Sequence, residues 1–120
     1  MAKIGFIGMG NMGTAILEGL LKERRPEDML FTAAHQEKME AVTARTGVPH
    51  AASNSQCAAE SEYLILAVKP QYFDQVFAEI RESLRPGQIV IFLAPGLTIA
   101  GLRERLGGNV RVVRAMPNTP

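Results

Sequence analysis

The sequence predicts an α/β fold, a single domain with a doubly wound, mostly parallel sheet. Strand-like and helix-like segments alternate along the 120 residues, and residues 63–68 form an unbroken apolar run. Such a run is typical of a strand that is buried on both faces of a parallel sheet. Alternation of this kind favours right-handed crossovers and places ligands beyond the carboxyl ends of the strands.

The first half of the chain contains two predicted strands and three predicted helices. Apolar residues at helical spacing predict the first helix, which Pro26 stops, and Gly47 ends the second. The predicted bounds are a strand at 2–8, a helix at about 11–24, a strand at 29–32, a helix at 36–46 and a short helix at 53–60.

The second half repeats the alternation. Phe73, Val76, Phe77 and Ile80 have helical spacing, and Thr98 is a helix cap. The predicted bounds are a strand at 63–68, a helix at 70 to about 84, a strand at 89–93, a helix at about 99–106 and a last strand at 110–115.

Composition excludes several classes of partner. Thirteen basic and twelve acidic residues give a net charge of +1, so neither nucleic acid nor an anionic membrane is expected to bind. There is no apolar stretch near 20 residues and no basic-then-apolar leader.

The single cysteine, Cys57, cannot form an internal disulfide, which favours a cytoplasmic protein. A packed or partly exposed thiol is a better interpretation of Cys57 than a nucleophile, because the spacing of the two histidines singles out neither as its base.

A glycine motif lies between the first strand and the first helix: Gly8-Met9-Gly10-Asn11-Met12-Gly13. Gly8 allows a tight turn, Gly10 lets backbone approach a pyrophosphate, and Gly13 lets the helix pack closely on its strand. This order predicts a Rossmann-like dinucleotide site. The alternative is a glycine-rich turn that binds no ligand.

The end of the second strand bears on the choice of nucleotide. An Asp or Glu about 20 residues after the glycines binds the ribose 2′-hydroxyl of NAD. The segment Phe31-Thr-Ala-Ala-His35-Gln has no acid, whereas Thr32, His35, Gln36 and Lys38 offer donors. NADP is therefore favoured and NAD remains possible, since Glu37 lies close by. These polar residues are equally compatible with an ordinary exposed helix start.

Two further turns follow predicted strands. Lys69 and Pro70 come directly after the apolar run, where the lysine would face a cofactor or a substrate carboxylate. The small-residue turn Leu93-Ala94-Pro95-Gly96 would let a flat nicotinamide ring approach backbone. The alternatives are a solvated lysine and an ordinary loop.

Together these motifs resemble pyrroline-5-carboxylate reductase. The resemblance rests on the glycine motif, on Ala-Val-Lys-Pro70, on Ala-Pro-Gly-Leu-Thr98 and on Met-Pro-Asn-Thr-Pro120, in that order, and it covers the whole chain. It implies an oxidoreductase for the last step of proline biosynthesis, in which hydride passes from NAD(P)H to the cyclic imine carbon of 1-pyrroline-5-carboxylate. The substrate is a small molecule.

The resemblance also implies roles for residues. The glycine turn would hold the pyrophosphate, the end of the second strand the adenosine ribose, and Asn54 the adenosine side. The turns at residues 67–70 and 93–95 would line the nicotinamide half of the cofactor. The last residues of the chain would lie near the substrate. The residues implied for the cofactor are Ile7, Gly8, Met9, Gly10, Asn11, Met12, Gly13, Ala34, His35, Asn54, Ala67, Val68, Lys69, Pro70, Leu93, Ala94 and Pro95, and those for the substrate are Asn118 and Thr119.

This sequence departs from the family at two points. Ala33-Ala34 stands where the family usually has polar or basic residues, and the chain stops at Pro120, where the family continues into a helical domain that dimerises. We therefore expect the cofactor-binding half of a homo-oligomeric enzyme, inactive by itself. No catalytic residue and no metal ligand is assigned. The rivals are a β-hydroxyacid dehydrogenase-type cofactor domain and a non-catalytic nucleotide-binding module.

Overall fold

A computed structural model of the protein describes residues 3–93, 97–107 and 110–115. Strands and helices alternate through these residues, and three short 3₁₀ turns flank them. The strands are β1 (Ile4–Ile7), β2 (Met29–Thr32), β3 (Tyr63–Leu66), β4 (Ile89–Phe92) and β5 (Arg111–Arg114), and the helices are α1 (Asn11–Leu20), α2 (Gln36–Thr46), α3 (Asn54–Glu60), α4 (Phe73–Ile80) and α5 (Ile99–Leu106).

The five strands form one sheet in the order β2-β1-β3-β4-β5. Every pairing is parallel, and β1 lies between β2 and β3, with Ile4 opposite Met29 on one side and Tyr63 on the other. The chain reverses its direction of travel between β1 and β3, which makes their carboxyl ends the topological switch point. The predicted doubly wound, parallel α/β fold is confirmed.

Helices cover the two faces of the sheet unequally. Side chains from α1 and α2, including Leu17 and Val42, pack with Phe6 on one face. Side chains from α3, α4 and α5, including Cys57, Phe77 and Leu102, form the core on the other face. Alternate residues of each strand point to opposite faces, and because the strands are apolar on both faces, each face has an apolar core.

The α1/α2 face becomes open toward β5. Ile91 of β4 is only partly buried there, and Val113, which pairs with it in β5, is 46% exposed. The neighbouring residue Val112 points to the opposite face and is 7% exposed. The last strand is therefore covered well on one face only.

The observed bounds agree closely with several predictions. The predicted strand at 29–32 and the helix at 36–46 match β2 and α2, and Gly47 ends α2 with a left-handed φ of 79°. The predicted helix at 11–24 was too long, because α1 ends at Leu20 and residues 21–24 form a tight turn. After Leu21, which packs against the core, residues 22–24 are charged and exposed, so no apolar face remains to hold a further helical turn on the sheet.

The predicted helix at 70–84 divides into three pieces. A 3₁₀ turn at Pro70–Tyr72 precedes α4, and another at Arg81–Ser83 follows it. The apolar residues that predicted the helix, including Phe73 and Ile80, do face the core. The spacing of these residues correctly predicted the buried face of the helix but not where the helix begins and ends. No helix in the described ranges is long and apolar enough to cross a membrane.

Candidate functional site

A cleft of about 580 Å³ opens at the carboxyl ends of β1, β2 and β3, at the switch point of the sheet. Its walls come from the turns after these strands and from the start of α4. The lining residues are Ile7, Gly8, Met9, Gly10, Thr32, Ala33, Ala34, His35, Lys38, Asn54, Ala67, Val68, Lys69, Tyr72, Gln75 and Val76. Doubly wound proteins bind their ligands at this position.

The glycine turn after β1 forms the floor of the cleft. Gly8 has a φ of 97°, and a β-carbon at this residue would lie 2.4 Å from the carbonyl oxygen of Ala67. The Gly8 N–H donates to the carbonyl of Thr32 at 3.0 Å, and the Ala67 N–H donates to the carbonyl of Ile7 at 2.8 Å. Only glycine satisfies both the backbone angle and the close approach. The turn is thus tied to both neighbouring strands.

The start of α1 faces the cleft without a side chain in the way. Gly10 is the N-cap residue, no side chain caps the helix, and a β-carbon on Gly10 would meet nothing within 4 Å. Gly13, in contrast, packs against the turn, since a β-carbon there would lie 2.7 Å from the carbonyl oxygen of Gly8. The first amides of α1 have no acceptor within the helix. The open space and these donors fit a pyrophosphate.

The charge of the lining also fits an anionic ligand. Lys38 and Lys69 line the cleft, His35 stands beside Lys38, and no Asp or Glu occurs among the lining residues that the structure describes. His35 is the N-cap of α2, and its side chain makes no capping hydrogen bond. Cations together with an uncapped helix start favour phosphate groups.

A smaller recess of about 250 Å³ adjoins the cleft beyond β2. Thr32, Ala33 and Asn54 line both spaces, and Glu79 lines only the recess. The Thr32 hydroxyl donates to Oδ1 of Asn54 at 2.6 Å, and Nδ2 of Asn54 donates to Oε1 of Glu79 at 3.4 Å. Ser53 caps α3 by accepting the N–H of Gln56 at 3.0 Å, which fixes the start of the helix that carries Asn54.

The structure brings together most of the residues predicted for the site. Those that line the cleft are Ile7, Gly8, Met9, Gly10, Ala34, His35, Asn54, Ala67, Val68 and Lys69. Asn11, Met12 and Gly13 lie next to it in the first turn of α1. Pro70 is exposed at the start of its 3₁₀ turn, and Leu93 is 5% exposed in the core. Ala94, Pro95, Asn118 and Thr119 fall outside the described residues.

Sequence reasoning missed the wall formed by Tyr72, Gln75 and Val76. These residues follow directly on Pro70, in the segment that was treated only as a core-forming helix. A signal was available, because the chain leaves β3 at the binding edge of the sheet and the next helix must start beside it.

Cys57 is buried in the core, with its thiol 3.5 Å from the carbonyl oxygen of Phe6. Burial raises the pKa of the thiol from 9.0 to about 12. The thiolate is the nucleophilic form, so this cysteine is inert at neutral pH. No group of three or more His, Cys, Asp or Glu residues placed to hold a metal occurs in the described part of the chain.

The comparisons with known proteins point to one group of enzymes. Over 120 residues the chain is 38% identical to pyrroline-5-carboxylate reductase of Escherichia coli, and over 118 residues it is 34% identical to that of Methanosarcina acetivorans. These alignments cover 98% and 97% of this chain but 45% and 44% of the relatives. The chain thus spans about half the length of the curated relatives that it matches.

Solved structures agree with the sequence relatives. A pyrroline-5-carboxylate reductase from Coxiella burnetii superposes with a TM-score of 0.92 at 36% identity, covering 99% of this chain and 45% of that one. The Plasmodium falciparum enzyme, solved with NADP bound, gives 0.84 at 28% identity, covering 99% and 43%. A Mycobacterium tuberculosis 3-hydroxyisobutyrate dehydrogenase gives 0.81 at 16% identity, covering 99% and 41%, and shares the fold alone.

A family model described as "NADP oxidoreductase coenzyme F420-dependent" matches residues 3–96. The matched region runs from the start of β1 past the end of β4 and includes every described residue that lines the cleft. The chain therefore belongs to this nucleotide-binding oxidoreductase family, and its predicted resemblance to the cofactor-binding part of pyrroline-5-carboxylate reductase is confirmed.

Proposed function

We propose that this protein reduces 1-pyrroline-5-carboxylate to L-proline with NAD(P)H and that the present chain supplies the cofactor-binding half. One observation carries the proposal: the cleft at the switch point belongs to a chain that is 38% identical to a pyrroline-5-carboxylate reductase over 98% of its length. Relatives from a bacterium, an archaeon and a fish have the same name.

The cofactor would lie along the cleft. Residues 8–13 would hold the pyrophosphate on backbone N–H groups, and the end of β2 with Asn54 would hold the adenosine half. The turn after β3, through Ala67 and Lys69, would support the nicotinamide half. When bound, the reduced nicotinamide supplies the hydride. The protein's task is then to fix the ring in place and exclude water from it.

NADP is the cofactor that we favour. The end of β2 carries no carboxylate that would repel a 2′-phosphate, and Ala34, His35 and Lys38 line the cleft at that point. An exposed lysine beside an uncapped helix start provides charge and N–H donors for a phosphate monoester. A related reductase from Plasmodium falciparum was solved with NADP bound, which supports the same choice.

The substrate side requires groups other than those lining the cleft. Because the chain covers about 45% of its relatives, we propose that the rest of their length corresponds to a region that completes the active site and forms the homo-oligomer. Asn118 and Thr119 stay predicted substrate-side residues. The free, buried Cys57 thiol is consistent with a reducing cytoplasm, which we infer as the location.

Titration with NADPH and NADH side by side tests the proposal. We expect calorimetry to show binding of both, with NADPH the tighter ligand. An assay of NADPH oxidation with 1-pyrroline-5-carboxylate then tests the reaction in a protein that also contains the region proposed to complete the active site, with a 3-hydroxy acid and NADP as the control pair for a dehydrogenase. Failure of both nucleotides to bind would refute the cofactor role. Binding together with 3-hydroxy acid oxidation would favour the dehydrogenase instead.

A further inference from the structure

Thr32 joins two walls of the cleft through two different groups. Its backbone carbonyl accepts the N–H of Gly8 at 3.0 Å, and its side-chain hydroxyl donates to Oδ1 of Asn54 at 2.6 Å. Thr32 is 4% exposed, so its hydroxyl has little access to water. A buried hydroxyl is costly to leave unpaired, and the bond to Asn54 satisfies it.

The contacts on both sides of Asn54 fix the orientation of its amide. Nδ2 donates to Oε1 of Glu79 at 3.4 Å, and a carboxylate can only accept. The amino group must therefore face Glu79, and the carbonyl oxygen must face Thr32. An amide NH₂ has two hydrogens, and Glu79 takes one of them. The second is available to a ligand in the cleft, which Asn54 lines.

Neighbouring groups determine which ligand atom suits this N–H. The Glu79 carboxylate lies on the recess side of Asn54 and disfavours a phosphate there, whereas Lys38 and His35 line the cleft from the start of α2. A neutral acceptor, such as a ribose oxygen, fits better beside Asn54. The charged phosphate fits better beside the lysine.

We propose that Thr32 is a positioning residue that acts through Asn54. Its hydroxyl, with the Glu79 carboxylate, holds the Asn54 amide so that one N–H points to an oxygen of the adenosine ribose. This inference rests on the proposed function, because it needs a dinucleotide in the cleft. The role is indirect, because the Thr32 hydroxyl that was predicted as a donor for the nucleotide donates to Asn54 instead.

A set of variants tests the role by calorimetry with NADPH and ADP-ribose. Thr32→Val has nearly the same shape and loses only the hydroxyl, and we expect the Kd for both ligands to rise about 3-fold to 10-fold. Thr32→Ser restores the hydroxyl and is expected to bind like the original protein. Thr43→Val is the matched control, since Thr43 lies 3.1 Å from Nδ1 of His50, outside the cleft, and its loss should leave both Kd values unchanged.

A double-mutant cycle separates positioning from a general effect on stability. If Thr32 acts through Asn54, the variant carrying Thr32→Val and Asn54→Ala should bind no worse than Asn54→Ala alone. Additive losses, or an unchanged Kd in Thr32→Val, would overturn the role. If Thr32→Val does not fold, Glu79→Ala is the deciding variant, because Glu79 is an exposed residue. An unchanged Kd for ADP-ribose in Glu79→Ala refutes the proposal. Absence of binding by the original protein would instead refute the cofactor role itself.

Discussion

Gly8 lies so close to Ala67 that a β-carbon on Gly8 would come within 2.4 Å of the Ala67 carbonyl oxygen. The contact joins the turns after β1 and β3, the two strands at the switch point. The fold itself requires glycine at this position. Its replacement should therefore affect stability even when no nucleotide is present.

We predict that Gly8→Ala lowers the free energy of unfolding by more than the about 1–2 kcal/mol that a left-handed backbone costs an L-residue. Gly87→Ala is the matched control, because Gly87 also has a positive φ, 91°, but a β-carbon there meets nothing within 4 Å. Urea unfolding followed by circular dichroism measures both. Equal losses in the two variants would contradict a steric role for Ala67.

Gly10 should behave in the opposite way. A β-carbon there meets nothing within 4 Å, so Gly10→Val should change the free energy of unfolding by less than about 0.5 kcal/mol. The valine would fill space that the pyrophosphate needs, and we expect the Kd for NADPH to rise more than about 10-fold. Gly19→Val, in the same helix and equally open, is the control for binding. Unchanged NADPH affinity in Gly10→Val would mean that the site lies elsewhere.

Lys38 is expected to discriminate between the two nucleotides. Lys38→Ala should raise the Kd for NADPH about 3-fold to 10-fold at low salt and leave that for NADH nearly unchanged, because only NADPH carries a 2′-phosphate. Lys22→Ala, also exposed but in the turn after α1, should alter neither value. Calorimetry at low and high salt makes the comparison. Equal weakening for both nucleotides would assign Lys38 to the pyrophosphate instead.

Cys57 gives a prediction on pH. Burial raises the pKa of its thiol to about 12, whereas the thiol of the unfolded chain ionises near the ordinary value of 9.0. Between these values the unfolded chain has lost a proton that the folded protein keeps, so the free energy of unfolding falls as pH rises. The slope due to this thiol is at most about 1.4 kcal/mol per pH unit.

Urea unfolding at about pH 8 and about pH 10.5 checks this slope. Cys57→Ala should show a smaller fall than the original protein, since the other titrating groups are common to both. The native thiol should also resist alkylation at pH 8 until urea unfolds the chain. Rapid alkylation of the folded protein would contradict the burial of the thiol.

Local sequence signals predicted the fold because the same residues also meet a requirement of the folded structure. Gly47, for example, both ends α2 and has the left-handed φ that a non-glycine residue avoids. The cleft was predictable where a strand ends in a distinctive turn, as at Gly8 and Lys69. Tyr72, in the 3₁₀ turn, and Gln75, in α4, were not found, because which of their side chains face the cleft depends on how these two elements pack on the sheet.

The hydrogen bond between Thr32 and Asn54 is a second feature that could not be predicted from the sequence. The two residues are 22 positions apart, and nothing in their local sequence relates them. They meet only because β2 and the start of α3 reach the same edge of the sheet. Hydrophobic periodicity describes one segment at a time, so a contact between two distant segments can be found only in the folded structure.

The exposed strand β5 bears on whether the sheets of two copies of the chain could pair edge to edge. Among the described strands β5 lies at one edge of the sheet, and edge strands readily pair with other chains. Val113 is exposed there, but Arg111 and Arg114 stand at the two ends of the same four-residue strand and are both exposed. Two such edges approaching each other would bring four guanidinium groups together. Charged side chains on an edge strand disfavour such pairing, so these two arginines make edge-to-edge association of the sheet costly whether or not a nucleotide is bound.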